Sequence, residues 1–362
     1  MAKFTHGPLL SPSDATSAYD AGAVDSGTCI TLPSGGSTPS PATVPAVSCL
    51  PSLVCVGMAK AGTDELRGWL SLHPNLSSST DREVQYFNHG IFRAMPGGVV
   101  GPVHHRSLLE AALRTSWSEY AARFPVPREH IGRVLTFEKS PGYARPQHNL
   151  SRVANGIERH VPFLMRRLMP SVRLVLLLRD PVALVRSRFV HCLRQAGRQR
   201  RPPLPSCGGA VERDYESMLT AGAGLLRLEP GGAAGGSPLR PVAEFASGPS
   251  SLLNRVLAHA GLQRHDWRAS GYPGPDGSLT FHPRKSKSVR ERASRRPLLP
   301  GFEAATRDAL TPVLIRFRTQ HPCLRPPWPL GSATSAASGP TDRADTSPLC
   351  RARGARTHAA PQ

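Results

Sequence analysis

The stretch that most constrains the fold is Val54–Thr63, VCVGMAKAGT, with the helix it feeds. Leu53, Val54, Cys55 and Val56 form a short apolar run bounded by Pro51 and Gly57, the pattern of a buried strand. Gly57 to Gly62 is a loop of small residues holding one cation, Lys60. Thr63 and Asp64 are favoured N-cap types, and Leu66, Trp69, Leu70 and Leu72 recur at helical spacing. The pattern predicts a helix over Asp64–His73, stopped by Pro74. Such a turn aims backbone N–H groups and a helix N-terminus at one point. That is an anion site, most often for phosphate. An ordinary strand-to-helix turn is the alternative.

The rest of the chain alternates in the same way. Val134–Glu138 and Val172–Leu178 read as further strands, the second apolar on both faces as in a parallel sheet. His104–Phe124, Asn155–Met169, Pro181–Leu193, Glu212–Leu228, Ser251–Gly261 and Phe302–Arg318 read as helices, and Asn75–Phe87 as a loop. Alternating strands and helices predict an α/β domain with a largely parallel sheet over residues 49–320. Residues 1–48 and 321–362 are poor in apolar periodicity and read as a disordered leader and tail. Glu229–Pro249, rich in Gly, Pro and Ala, reads as a flexible low-complexity insertion remote from any site.

Composition narrows the partners. The formal charge is +20, which by itself suggests nucleic acid, an anionic surface or an acidic substrate. The cations are spread along the chain and are mostly Arg. Only five are Lys (3, 60, 139, 285 and 287), and two of those fall in the motifs below. The seven cysteines have no metal-ligand spacing. Cys192 and Cys207 could close a disulfide in an oxidising compartment, or remain free buried thiols. No 18-residue apolar run and no signal-peptide pattern is seen.

The loop is not a Walker A loop. Gly57 and Gly62 have the G-x-x-x-x-G spacing, but Thr63 stands where Lys is required. Lys60-Ala-Gly-Thr63 after a buried strand resembles instead the 5′-phosphosulfate loop of sulfotransferases that use 3′-phosphoadenosine 5′-phosphosulfate (PAPS). Four later stretches agree in order and spacing. They are REVQYF (Arg82–Phe87), TFEKSPGY (Thr136–Tyr143), LLLRDPVALVRSRFVH (Leu176–His191) and RERASRRPLLP (Arg290–Pro300). Together they resemble the carbohydrate sulfotransferases of the heparan sulfate type. The likeness is to the sulfotransferase domains of the N-deacetylase/N-sulfotransferases and 3-O-sulfotransferases, from about Val54 to Arg318.

The resemblance implies a P-loop-like parallel-sheet α/β fold with helices on both faces, and a division of labour. Lys60, Ala61, Gly62, Thr63 and Asp64 would form the 5′-phosphosulfate loop, with Lys60 also neutralising the bridging oxygen. Arg179 and Ser187 would take the 3′-phosphate, helped by Arg292, Arg295 and Arg296. Glu83 would be the catalytic base and Lys139 a cation near the acceptor. Each has a plainer alternative: a solvated Glu83, Lys139 paired with Glu138, Arg179 paired with Asp180, Ser187 on a bare helix face, and a solvated Arg cluster. Gln85 stands where the 3-O-sulfotransferases usually carry His. Leu184 replaces a second Arg of the family, and Glu229–Pro249 replaces its acceptor-contacting segment.

The expected function is therefore sulfuryl transfer from PAPS to a glycan hydroxyl or amino group, with a heparan-sulfate-like anionic acceptor. No metal and no specific nucleic acid are expected. The resemblance implies the Golgi lumen, although the family's membrane anchor is not seen here. The alternatives are a nucleotide-binding remnant of such an enzyme and an Arg-rich binder of anionic glycan or nucleic acid. A nucleotide kinase is disfavoured by the missing Walker Lys.

Overall fold

A computed structural model describes residues 9–11, 25–31, 47–91, 116–144, 161–180, 182–188, 191, 240–241, 249–270, 272–273 and 279–280. It also describes the helical positions 304, 307–308, 310–312, 314–315 and 319. The strands are β1 (Leu9–Leu10), β2 (Cys29–Thr31), β3 (Val47–Cys49), β4 (Leu53–Gly57), β5 (Leu76–Ser78), β6 (Pro125–Val126), β7 (Leu135–Lys139), β8 (Arg173–Leu178), β9 (Arg240–Pro241), β10 (Tyr272–Pro273) and β11 (Leu279–Thr280). The helices are α1 (Thr63–Leu70), α2 (Val161–Leu168), α3 (Pro249–His259) and α4 (Trp267–Ser270). Residues 116–121 and 182–188 are also helical.

Among the described residues the main sheet has five strands in the order β5-β7-β4-β8-β9, and every pairing is parallel. The chain starts at the centre with β4, goes to one edge, returns to β7 and then crosses to β8. The direction of winding therefore reverses beside β4, and ligands of open parallel sheets bind at the carboxyl end of such a point. All five residues of β4 and all five of β7 are buried. Alternate residues of a strand face opposite ways, so both faces of the sheet are covered. Leu66, Trp69 and Leu70 of α1, Val161, Leu164 and Met165 of α2, and Leu252, Leu253, Val256 and Leu257 of α3 share one core with the strands. The expected parallel α/β fold is the one observed.

α1 ends at Leu70, three residues before the expected stop. Leu72 donates its N–H to Trp69 (3.0 Å) and His73 donates to Leu70 (3.1 Å), so the last turn tightens to a three-residue pattern. Pro74 disfavours helical backbone at residue 73, which accounts for the early end. The loop expected over Asn75–Phe87 contains β5, too short to give a periodic signal.

Two expectations about disorder are corrected. Residues read as a disordered leader supply β1, β2 and β3, which join β6 in a four-stranded sheet ordered β1-β2-β3-β6. A Cys29–Cys49 disulfide ties β2 to β3, and Val47 and Val126 pack around it. A covalent link and a small apolar cluster offset the ordering entropy that composition alone suggested was unaffordable. Likewise, Arg240 and Pro241, read as part of a flexible insertion, pair in parallel with Leu177 and Leu178 of β8. Backbone pairing at a sheet edge needs no apolar side chain, so composition does not reveal it. It also brings these two residues to the end of β8 that precedes Arg179, while positions 229–239 and 242–248 lie outside the described residues. Cys192, Cys207 and the helix expected over Glu212–Leu228 lie outside the described residues, as do positions 1–8 and everything after 319.

Candidate functional site

The loop after β4 is held from both sides. Met58 donates its N–H to the Leu177 carbonyl of β8 (3.0 Å), and Ala144 donates to the Val56 carbonyl (2.7 Å). A Cβ on Gly57 would stand 2.5 Å from the Ala144 Cβ, so only glycine allows the chain after β7 to pass this close. Lys60 takes the left-handed conformation (φ 71°), as does Gly62 (φ 94°). For Lys60 that conformation is strained, and such strain concentrates where a loop is shaped for a task. The N-cap of α1 is Gly62, with no side-chain cap, so the expectation of Thr63 or Asp64 there is corrected. Leu66 donates its N–H to the Gly62 carbonyl (2.9 Å) and so starts α1, whose N-terminal end favours an anion.

Arg179, at the end of β8, donates from Nη1 to the Lys60 carbonyl (2.9 Å). Its expected alternative, a pair with Asp180, is not what Asp180 does. The Asp180 carboxylate accepts the Ala183 N–H (2.9 Å), capping the helix over residues 182–188, and faces Arg307 at 3.8 Å. Ser187 lies half-buried near the end of that helix. Leu184 of the same helix is wholly buried in the core.

Lys139 ends β7 and is the joint of the site. Its side chain is 1% exposed, yet its ammonium lies 2.6 Å from Asp64 Oδ1 and 2.7 Å from Glu83 Oε1. Neighbouring strand residues face opposite ways, so Lys139 pairs with these carboxylates and not with Glu138. Arg82 closes the group with Nε and Nη2 on the Asp64 carboxylate. Burial pushes the Asp64 carboxyl up, but the hydrogen bonds from Arg82 and Lys139 more than offset this and hold it at about 2. Glu83 is thus neither free in solvent nor buried: Lys139 holds Oε1, and Gln85 donates from Nε2 to Oε2 (2.9 Å).

On the other face of β7 lies a second, fully buried polar group. Glu138 accepts hydrogen bonds from Tyr120 (2.6 Å) and Ser140 (2.6 Å), and Tyr143 adds another. Burial raises the Glu138 carboxyl against the pull of these three donors, and it raises both phenols. Cys55, next to Lys139 across the sheet, is pushed up to about 12 by burial and is an inert thiol.

The structure therefore gathers Lys60, Ala61, Gly62, Thr63, Asp64, Glu83, Lys139 and Arg179 at the carboxyl edge of the sheet. Arg292, Arg295 and Arg296 lie outside the described residues. Sequence reading missed Arg82 and Ser140 as participants, although both stand inside motifs it singled out. The assembled groups suit a multiply charged anion: amides of a helix N-terminus, a hydroxyl at Thr63 and cations at Lys60 and Arg179. Of the two acidic residues in the first turn, Asp64 is paired with Arg82 and Lys139, and Glu65 accepts from the Trp69 indole (3.1 Å).

No protein-family profile matches the chain. Over 156 residues, 43% of this chain, it is 24% identical to the membrane-associated sulfotransferase kil1 of Dictyostelium discoideum. The match spans 26% of that protein, about a quarter of its length. Among solved structures the chain is similar to a sulfotransferase from Alicyclobacillus acidocaldarius, with 18% identity and a TM-score of 0.40 over 74% of this chain and 94% of that one. It is also similar to the sulfotransferase domain from the curacin biosynthetic pathway, with 14% identity and a TM-score of 0.43 over 78% of this chain and 99% of that one. Both TM-scores lie below 0.5, so function is read from the residues themselves.

Proposed function

We propose that this chain transfers a sulfuryl group from PAPS to an amino or hydroxyl group of a glycan, with a heparan-sulfate-like chain as acceptor. One observation carries the reading: the strained Lys60 loop and the Asp64–Lys139–Glu83 bridge meet at the switch point of a parallel sheet. In this reading Gly62 and Thr63 hold the 5′-phosphate by their amides and the Thr63 hydroxyl, while Ala61 shapes the loop by donating its own N–H to the Met58 carbonyl (3.0 Å). Arg179 and Ser187, with the Arg292–Arg296 cluster, receive the 3′-phosphate. The acceptor lone pair forms a bond to sulfur as the bond from sulfur to the 5′-phosphate oxygen breaks. Lys60 neutralises that leaving oxygen, the acceptor proton passes to Glu83, and adenosine 3′,5′-bisphosphate departs. Positioning and charge stabilisation do most of the work in such transfers. The Cys29–Cys49 disulfide supports an oxidising compartment such as the Golgi lumen. Among the described residues no helix is long and apolar enough to cross a membrane.

Buried Leu184 favours a second reading, because this helix brings one cation fewer than the resemblance implies. The chain would then bind the nucleotide and transfer nothing. Calorimetry with adenosine 3′,5′-bisphosphate, beside transfer from labelled PAPS to N-desulfated heparan, separates the two. Stoichiometric binding that EDTA leaves intact, together with labelled product, is expected. Binding without product supports the remnant. Binding abolished by EDTA, or seen only with heparin or DNA, sinks both.

A further inference from the structure

Both oxygens of Glu83 are held from the protein side, and one of the holders has no role in the reading above. Gln85 reaches Glu83 Oε2 with its amide nitrogen at 2.9 Å. Its amide oxygen accepts from Asn88 Nδ2 at 2.5 Å, and Asn88 is 3% exposed. Its backbone N–H donates to Ser140 Oγ at 3.0 Å, and Ser140 in turn donates to the buried Glu138. Gln85 itself sits in the left-handed region (φ 53°), where a non-glycine residue stays only if its surroundings enforce it. A Cβ on Gly142 would stand 2.6 Å from Asn88 Nδ2 and 3.0 Å from Gln85 Oε1. Glycine there is what lets Asn88 and Gln85 close on each other.

We infer that Gln85 is a positioning residue, which aims the Glu83 carboxylate through a relay anchored at Asn88, Ser140 and Glu138. The orientation of the amide follows from its partners: the nitrogen must face a carboxylate, and the oxygen must face the Asn88 donor. With Oε2 held by Gln85 and Oε1 by Lys139, the carboxylate plane is fixed and each oxygen keeps a second lone pair for an incoming proton. The relay is a matter of hydrogen bonds and stands apart from the proposed transfer, whereas the positioning role rests on that reaction.

Two measurements separate these. The first needs no activity: the Gln85 side-chain amide signals in a nitrogen–proton correlation spectrum. They are expected to move when Glu83→Ala removes the acceptor, whereas Asn75, whose amide bonds elsewhere, serves as control. Gln85 signals that stay in place overturn the relay, whether or not the protein is a sulfotransferase. The second is kinetic. Gln85→Glu keeps the shape and the Asn88 bond but turns the donor facing Glu83 into a second carboxylate. Gly142→Ala wedges the relay without touching Glu83. Both are expected to lower turnover about ten- to a hundredfold, the scale of a small misplacement, with bisphosphate affinity held within about twofold. Unchanged turnover, or affinity lost in the same proportion, overturns the positioning role. If the unmutated chain binds no bisphosphate, the proposed reaction falls and the spectrum alone decides the relay.

Discussion

Arg179, Glu83 and Lys139 share one site and should fail in three different ways. Arg179 grips the Lys60 carbonyl and is proposed to meet the 3′-phosphate, so Arg179→Ala should weaken bisphosphate binding. The loss should be about 1.5–3 kcal/mol, the scale of a charge-assisted hydrogen bond, read by calorimetry. Glu83→Gln keeps the shape and removes the base. It should leave that affinity unchanged or slightly better, while turnover falls about 10²–10⁴-fold. If Glu83→Gln loses affinity as badly as Arg179→Ala, Glu83 is structural. Lys139→Met leaves Asp64 and Glu83 facing each other without the cation between them. Both carboxylates are at least a third exposed, so water absorbs part of the repulsion, and about 1–2 kcal/mol of stability should go, read from urea midpoints. An unchanged midpoint would mean that the bridge is electrostatically idle. Much of this site was readable in the chain, because Lys139 ends a strand and Lys60 and Arg179 follow closely on strands that announce themselves by apolar runs. The partner of Lys139 was not readable. Its choice of Asp64 and Glu83 over Glu138 depends on which face of β7 each residue takes, and that needs the register of three strands.

Elements obey the same logic at longer range. Gly57→Ala drives a methyl group into Ala144 and Leu176, so β4 and the turn after β7 must part. A cost of about 1–3 kcal/mol is expected, measured by denaturant unfolding, and a neutral result would show that the loop gives way cheaply. The Cys29–Cys49 link closes a separation of 20 residues. Replacing both cysteines with alanine should cost about 2–4 kcal/mol, visible as a lowered melting temperature that reductant no longer affects. A reductant-sensitive melt in that variant would point to other cysteines. β4, β7 and β8 were legible because each is buried on both faces. The N-terminal sheet was not, because strands of two or three residues in a background of Ser, Gly and Pro carry no period. Their order comes from a covalent bond and from pairing with β6, some eighty residues away in sequence.

For the molecule as a whole, acid should be destabilising well before the carboxylates titrate. Burial and neighbouring His265 push His73 down to about 4, and burial and Arg173 do the same to His259. Between about pH 6.5 and 4 the unfolded chain takes up a proton at each ring and the folded chain does not. Stability therefore falls as pH falls through that window, by about 1.4 kcal/mol per pH unit for each histidine. Below it the Asp64 pairing adds a further loss as pH drops from about 4 toward 2. Urea midpoints at pH 7 and 5 test this, and His73→Asn should remove one proton from the slope. A flat profile would place both rings in contact with water. One last consequence comes from β9. Among the described residues the main sheet ends in a strand of two residues, one an arginine and the other a proline that has no N–H to offer. An open sheet edge is a template for a neighbouring molecule, and a charged, donor-poor end denies that template its hydrogen bonds. At that edge the described strand offers a neighbouring molecule few hydrogen bonds, which is expected to favour solubility. Changing Arg240 and Pro241 both to valine should let copies add edge to edge, and light scattering at high concentration would register the growth.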